Sequence, residues 1–398
     1  MIGDLLPTGW QMRKVGDLAV ILNGYAFKSK NYVNTGVRVI RITNVQKGEI
    51  VDDDPKFYPS DSREPIKKYQ LNENDLLMSL TGNVGRVGLI QRDFLPAALN
   101  QRVACIRVSS ERLDKQFLFH FLNRREFEED CIRSAKGVAQ KNMSTVWLEK
   151  YEIPLPPLPT QRKIVEILDA ADALRKKRRE ADEKMKGLIP ALFVKMFGDP
   201  ATNPMGWEMK ELQELGEVFS GATPSTKEKE YWDGGINWVT PAELSDDSFI
   251  INESQRKITQ KGYESCSAKI FPSGTVLLSC RAPIGKVAIA GTEMCTNQGF
   301  KSLNPNGNEM HSHYLFWWLK QQNSYLQTLG AGATFKEISG ARFKKIKIPA
   351  PNIQLQREFA SFVDNLSRTH NTASVQSKNI SQLFDVLLHK AFRGELVT

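Results

Sequence analysis

The fold is decided by the stretch PLPPLPTQRKIVEILDAADALRKKR, which occupies residues 154–178. It joins a proline-rich lead-in to a charged segment whose apolar residues recur at alternating steps of three and four, the spacing of a coiled-coil helix. Because proline fixes φ and keeps the preceding residue extended, the lead-in sets the direction in which the chain enters that helix. A second stretch of this kind, IPAPNIQLQREFASFVDNL, lies at 348–366. Two such helices are therefore expected.

The second half of the chain repeats the first at an offset of about 195 to 200 residues. PTGWQMRKVGDLAVILNG at 7–24 returns as PMGWEMKELQELGEVFSG at 204–221, and LLMSLTGNVGRVG at 76–88 returns as VLLSCRAPIGKVA at 276–288. Because a repeat fixes the architecture, each half is expected to be one globular unit followed by one helix.

Each globular segment mixes strand and helix patterns. VRVIRITNV and LLMSL run as strands do, whereas KQFLFHFLNRREFEED has helical spacing. The patterns predict an α+β fold, with two similar mixed α/β domains in a pseudo-twofold arrangement joined by two long antiparallel coiled-coil helices. Antiparallel pairing is expected because FGDPATNP leaves almost no linker after the first helix. The expected segments are 1–155 and 199–350 for the domains, and 156–198 and 351–398 for the helices with their lead-ins.

The helix pair has a predicted apolar seam. Its residues are Ile164, Ile167, Leu174 and Leu188 in the first helix and Phe359, Phe362, Leu366, Ile380 and Leu383 in the second. Pro190 matches Asp385 of the second copy, so the first helix is expected to kink or restart there. A helix of about 25 residues spans roughly 37 Å, close to the roughly 34 to 36 Å between DNA half-sites that lie one helical turn apart.

The composition narrows the classes of function. The net charge of +9 favours a polyanionic partner. The five scattered cysteines include no CxxC pair, which argues against a disulfide framework and a thiolate zinc site. No stretch reaches the roughly 18 to 20 apolar residues of a membrane span, and the start MIGDLLPTGW lacks a signal-peptide layout. A cytoplasmic protein is therefore expected.

Motifs for catalysis are absent from the sequence. There is no Asn/Asp-Pro-Pro-aromatic loop for an amino-methyltransferase and no P-loop for a nucleotide. The Asp-x-Lys triplet at 54–56 and the Glu-x-Lys triplet at 208–210 lack a suitably spaced acidic partner. His311 and His313 lie at the start of a predicted helix, which disfavours a metal site. We therefore expect no catalytic residue, no metal and no cofactor in this chain.

Polar loop residues at matching places in both copies are the candidate DNA contacts, because bases are read by Arg, Asn, Gln and Lys and phosphates by Lys, Ser and Thr. Shared positions are expected to contact the DNA backbone or support the loops: Ser79, Arg86, Asn100 and Lys141, matched by Ser279, Lys286, Asn297 and Lys336. Differing positions are expected to read bases: Arg41, Asn44, Thr81, Asn83 and Arg102 in the first unit, and Thr240, Glu243 and Arg281 in the second. A structural or solvated role is the alternative for each.

With these features the chain resembles the specificity subunits of type I restriction-modification enzymes. The resemblance covers essentially the whole chain and is carried by the two proline-rich lead-ins, by FGD at the end of the first helix and by the final AFRGEL. It implies two target-recognition domains, each reading one half of a bipartite asymmetric double-stranded DNA site. It also implies that the helices, including the seam residues, dock modification subunits, expected to number two.

The same resemblance implies restriction subunits as further partners, and it places S-adenosylmethionine, ATP and Mg²⁺ on the partner subunits rather than on this chain. The alternative comes from a different class of protein. In that interpretation the coiled-coil helices build a structural oligomer, and the globular domains bind protein or carbohydrate.

Overall fold

The two copies of the repeat fold into two units whose boundaries lie inside the long helices. The structure is a computed structural model and describes residues 6–60, 63–135, 141–245, 248–281, 283–332 and 336–397. The first unit comprises Met1–Arg179 with Gln376–Thr398, and the second comprises Glu180–Val375. The predicted division treated each helix as a separate segment, whereas each unit holds the beginning of one long helix and the end of the other.

The first unit contains a four-stranded antiparallel sheet with the strand order β2-β10-β7-β8. Its strands are β1 (Gln11–Lys14), β2 (Ala19–Asn23), β3 (Val37–Ile40), β4 (Val45–Gln46), β5 (Glu49–Ile50), β6 (Phe57–Tyr58), β7 (Leu76–Ser79), β8 (Val87–Leu89), β9 (Ala97–Leu99), β10 (Val103–Val108) and β11 (Glu152–Leu155). Its helices are α1 (Arg63–Tyr69), α2 (Lys115–Leu122), α3 (Arg125–Ser134), α4 (Thr145–Lys150) and the beginning of α5 (Leu158–Phe197).

The second unit contains a five-stranded sheet with the order β13-β20-β17-β18-β15. Its strands are β12 (Met209–Glu211), β13 (Gly216–Ser220), β14 (Trp232–Val239), β15 (Ile250–Ile251), β16 (Arg256–Ile258), β17 (Val276–Ser279), β18 (Val287–Ala290), β19 (Cys295–Thr296), β20 (Phe300–Pro305) and β21 (Lys347–Pro349). Its helices are α6 (Leu212–Leu215), α7 (Gln260–Glu264), α8 (Ser312–Gln321), α9 (Asn323–Thr328), α10 (Gly340–Lys344) and the beginning of α11 (Ile353–Arg393).

Strand β7 lies between two hydrophobic cores because successive side chains of a strand point to opposite faces. Leu76 and Met78 belong to the core that contains the aromatic residues of α2, whereas Leu77 belongs to the core on the other face. Burial on both faces explains why the sequence shows an unbroken apolar run here. Strand β17 is buried on both faces in the same way.

The long helices run in opposite directions where they meet, which confirms the antiparallel prediction. In the first unit, Ile164 near the start of α5 shares a core with Phe392 at the end of α11. In the second unit, Phe193 near the end of α5 contacts Phe359 near the start of α11, with 5.5 Å between the ring centroids. The long helices are therefore part of the globular cores.

The structure buries some residues of the predicted seam and exposes others. Ile164 and Phe359 are buried, and Ile167, Leu366 and Ile380 are half-buried. The buried stripe then follows Leu168, Phe193, Val363, Phe384 and Leu388. The buried side of each helix is set by the globular core against which it packs, as the neighbours Phe362 (exposed) and Val363 (buried) show. Four predicted seam residues are exposed: Leu174 by 53%, Leu188 by 48%, Phe362 by 47% and Leu383 by 55%.

Helix α5 continues through Pro190. Helix α5 has 40 residues and α11 has 41, and both lie within the expected segments 156–198 and 351–398. Proline removes one backbone donor inside a helix. The next turn of α5 is nevertheless anchored, because Phe193 and Phe197 are buried in the core of the second unit. Of the kink or restart expected at Pro190, the restart is wrong, because α5 is one helix from Leu158 to Phe197.

A buried glutamine fixes each proline-rich lead-in to its globular domain. Gln161 accepts a hydrogen bond from the Asp114 amide at 2.7 Å and donates to the carbonyls of Arg112 and Pro156, each at 2.8 Å. Its side chain thereby joins the domain, the lead-in and the first turn of α5. Gln356 joins the same three parts of the second unit through the amide of His311 and the carbonyls of Glu309 and Pro351.

Candidate nucleic-acid interface

Several loops of the first unit meet at the end of β7. The Leu80 amide donates to the Arg102 carbonyl at 3.0 Å, and the Leu80 carbonyl accepts from the Met143 amide at 2.9 Å. The Asn100 amide donates to the Ile40 carbonyl at 3.1 Å. These bonds hold together loops that are far apart in sequence. We call this surface the first loop edge, and it consists of residues 24–27, 40–41, 80–83, 100–102 and 141–143.

The second unit has the same backbone framework at the end of β17. The Cys280 amide donates to the Gly299 carbonyl at 2.7 Å, and the Cys280 carbonyl accepts from the Ile338 amide at 2.9 Å. The Asn297 amide donates to the Val239 carbonyl at 3.1 Å. The repeat therefore preserves the backbone framework of the site. The second loop edge consists of residues 221–223, 239–240, 280–281, 297–299 and 336–338.

A glycine is required in each loop edge by close approach of the backbone. A Cβ atom at Gly24 would lie 2.2 Å from the Asn100 carbonyl oxygen, and one at Gly221 would lie 2.0 Å from the Asn297 carbonyl oxygen. Both distances are far shorter than a van der Waals contact. The two glycines that close the first repeated motif are thus explained by the geometry of this surface.

Two predicted shared positions, Ser79 and Ser279, hold the turn beside the loop edge. Ser79 Oγ donates to the Asn83 carbonyl at 2.5 Å and accepts from the Arg86 amide at 3.1 Å. The side chain of Ser79 is buried, so the structure supports the scaffold alternative for it. Ser279 makes the same two bonds, with the Pro283 carbonyl at 2.7 Å and the Lys286 amide at 2.9 Å.

The basic residues that follow these turns are half-buried and contact the protein. Arg86 Nη1 donates to Gln46 Oε1 at 2.5 Å. Lys286 Nζ donates to the carbonyls of Leu244 at 2.6 Å and Pro241 at 3.3 Å. Each cation therefore ties the turn to a neighbouring loop, which favours a supporting role over phosphate contact.

Asn44 and Glu243, which were predicted to read bases, both cap a short helical turn, and this supports the structural alternative for each. Asn44 is only 3% exposed; its Oδ1 accepts from the Arg41 amide at 2.8 Å and its Nδ2 donates to Asp52 Oδ1 at 2.8 Å. Glu243 Oε1 accepts from the Thr240 amide at 2.7 Å and from its hydroxyl at 3.0 Å. These bonds engage the side chains of Asn44 and Thr240 within the fold.

Among the other predicted base readers, Thr81 and Arg41 are engaged within the first unit. The buried Thr81 hydroxyl donates to Asn142 Oδ1 at 2.9 Å. Arg41 Nη2 donates to the Asp54 carbonyl at 2.5 Å. Lys56 Nζ also contacts Asp54, at 2.5 Å, and this hydrogen bond lowers the pKa of the Asp54 carboxyl.

The candidates that remain available for contact are exposed on the two loop edges. They are Asn83, Arg102 and Lys141 on the first, and Arg281 and Lys336 on the second. Asn100 and Asn297 each accept a backbone amide through Oδ1, at 3.2 and 2.9 Å, and shape the loops. Gln101 and Gln298, which the prediction did not include, are exposed beside these asparagines, and Glu337, also not included, lies half-buried on the second loop edge. Retention of the Asn-Gln pair in both copies was the signal that could have found the glutamines.

Three further findings concern the Cys280 thiol, groups of metal-ligating side chains and membrane-spanning helices. Burial raises the pKa of the Cys280 thiol to about 12, so this cysteine of the second loop edge carries a proton at neutral pH. Within the described parts of the chain, His, Cys, Asp and Glu side chains form no group of three that could hold a metal ion. Those parts also include no helix with the length and apolarity to cross a membrane.

Comparison with known proteins gives a consistent result. The MjaIX specificity subunit of a type I restriction enzyme from Methanocaldococcus jannaschii is 43% identical over 169 residues, which cover 41% of this chain and 39% of that protein. The EcoBI specificity subunit from Escherichia coli is 23% identical over 428 residues, which cover 97% of this chain and 86% of that protein. The crystal structure of a type I restriction-modification S subunit from M. genitalium superposes with a TM-score of 0.59 at 17% identity, covering 98% of each chain, which shows a shared fold.

Both copies of the repeat also match one family model. The model is described as the type I restriction modification DNA specificity domain, and it matches residues 7–182 and 204–381. These two matches cover nearly the whole chain and coincide with the two halves that carry the loop edges. The chain therefore belongs to the type I restriction modification DNA specificity family.

Proposed function

We propose that the two domains each read one half of a bipartite asymmetric double-stranded DNA site, and that the chain does so without catalysing a reaction itself. The observation that carries the proposal is the repeated loop edge. Its backbone hydrogen bonds are the same in both units, while residues at matching positions differ, as Arg102 and its counterpart Gly299 do. One scaffold with two sets of side chains suits two different half-sites, because base contacts specify sequence. The net charge of +9 suits a phosphate-rich partner.

The proposed partners are modification subunits, two in number, and restriction subunits. In this assignment S-adenosylmethionine, ATP and Mg²⁺ are bound by those subunits, and this chain supplies the recognition of DNA. Large apolar side chains that are exposed on the long helices are the proposed contacts for the modification subunits. The residues concerned are Leu174, Leu188, Phe362 and Leu383.

Deletion of the gene provides the test of this function. The methylome of the source strain is expected to lose one bipartite motif on deletion, and complementation with the chain is expected to restore it. The purified chain is also expected to bind DNA less tightly as salt rises, because phosphate contacts release counterions. A methylome that is unchanged by the deletion would contradict the proposal. Binding that keeps its strength at high salt would favour the protein-binding or carbohydrate-binding alternative.

We further propose that the long helices set the unread gap between the half-sites. Insertion of seven residues after Arg179 in α5 and after Val375 in α11 adds about 10.5 Å to each helix and keeps the helix faces nearly in register. The gap in the methylated motif is expected to lengthen by roughly three base pairs, or recognition is lost. The control is insertion into α5 alone, which displaces the pairing and is expected to abolish recognition. A gap of unchanged length after the double insertion would refute the proposal.

A further inference from the structure

One side-chain pair inside the loop edge differs in chemistry between the two units. Antiparallel bridges pair Thr81 with Asn142 in the first unit and Arg281 with Glu337 in the second. The first pair is joined by a neutral hydrogen bond of 2.9 Å, and the second by an ion pair of 2.8 Å between Arg281 Nε and Glu337 Oε2. The same backbone bridge thus presents a different side chain in each domain.

The ion pair fixes the direction of the Arg281 guanidinium. Glu337 engages Nε, and the described residues supply no hydrogen-bond partner to Nη1 or Nη2. The Arg281 side chain is 47% exposed on the second loop edge. Its two terminal amino groups form a planar pair of donors, which matches the O6 and N7 acceptors that guanine presents in the major groove.

The charge of Glu337 favours base contact over phosphate contact. The carboxylate of Glu337 neutralises the charge of Arg281. The pair therefore adds little to the non-specific attraction of the protein for phosphates. It also orders a flexible side chain before DNA binds, which lowers the entropy lost on binding. An ion pair this exposed contributes at most about 1 kcal/mol to folding. The pair is therefore better explained by recognition than by stability.

We propose that Arg281 reads a guanine in the half-site of the second domain and that Glu337 is its positioning residue. This inference rests on the proposed function, in which that domain reads half of the DNA site. Arg281 is then a specificity-determining residue. The Thr81 and Asn142 pair occupies the matching place in the first domain, so the two domains differ in base preference at this bridge.

The test uses the complex of the chain with its modification subunits, with methylation measured on duplexes that carry each base at every position of the motif. Arg281→Ala is expected to reduce the preference for guanine at one position of one half-site by roughly 5- to 150-fold. Preferences in the other half-site are expected to stay unchanged. Arg281→Lys is expected to relax the same position, because lysine lacks the planar pair of donors. Glu337→Gln is expected to have a smaller effect there.

Lys336→Ala is the matched comparison, because it removes a neighbouring positive charge and is expected to weaken all sequences alike. A uniform loss for Arg281→Ala would assign this residue to phosphate and overturn the proposal, as would a fully retained motif. Thermal unfolding of each variant checks that the fold is intact. If methylation by the wild-type complex does not depend on this chain, the proposed function fails instead, so the two failures are distinguishable.

Discussion

Phe359→Ala is expected to destabilise the second unit by about 3 to 5 kcal/mol, whereas Phe362→Ala should change its stability by less than about 0.5 kcal/mol. Phe359 is fully buried, and its ring centroid lies 5.5 Å from that of Phe193 and 5.4 Å from that of Phe197. Truncation at Phe359 leaves a cavity in the core that α5 and α11 share. Phe362 is exposed, so its truncation leaves none.

Denaturant unfolding followed by tryptophan fluorescence measures this difference, because Trp318 lies in the same core as Phe359. The two substitutions are matched in residue type and lie three positions apart on one helix. Equal losses of stability would support the seam that the sequence predicted, in which both phenylalanines face the partner helix. Unequal losses in the stated direction would support burial of α11 against the core of the second unit.

Deletion of residues 376–398 is expected to unfold the first unit and leave the second unit folded. The deleted segment includes Phe384, Leu388 and Phe392, which are all buried in the core of the first unit. The ring centroid of Phe392 lies 5.1 Å from those of both Phe117 and Phe121. Each such loss costs about 2 to 5 kcal/mol, while a whole domain is stable by only about 5 to 15 kcal/mol. The combined loss for these three side chains, about 6 to 15 kcal/mol, is as large as the whole stability of a domain.

Hydrogen exchange measured on the full chain and the truncated chain tests this expectation. Amides in β7 and β10 of the first unit should lose protection, and amides in β17 and β20 of the second unit should keep it. Leu383→Ala is the control, because it alters an exposed residue of the same segment. Retained protection of β7 in the truncated chain would show that the first unit does not need the end of α11.

The sequence was sufficient to predict the two units, their α+β class and the antiparallel helices. The repeat predicts the two units, and the short FGDPATNP connection predicts the antiparallel pairing. The seam could not be predicted in full, because the side of each helix that is buried depends on the globular core against which it packs. Leu168 is buried while Ile167 is half-buried, and apolar spacing alone does not choose between these neighbours.

The sequence predicted where the candidate interface lies better than it predicted what each residue does there. Matching loop positions led to the same edge in both units, because the repeat preserves the backbone that joins the loops. Individual roles depend on hydrogen bonds within the fold. Asn44 caps a turn, and an amide that caps a turn has the same chemistry as an amide that reads adenine. Only the bonding partners of Asn44 distinguish the two roles.

The interleaving of the helices has a consequence for the order in which the chain matures on the ribosome. The second unit is contiguous in sequence, from Glu180 to Val375, whereas the first unit requires Gln376–Thr398, which is synthesised after all of the second unit. Domains made first usually fold first during translation. Here the nascent amino-terminal domain has to wait with an incomplete core until the second domain has emerged, so the domain translated later is the first to complete its fold.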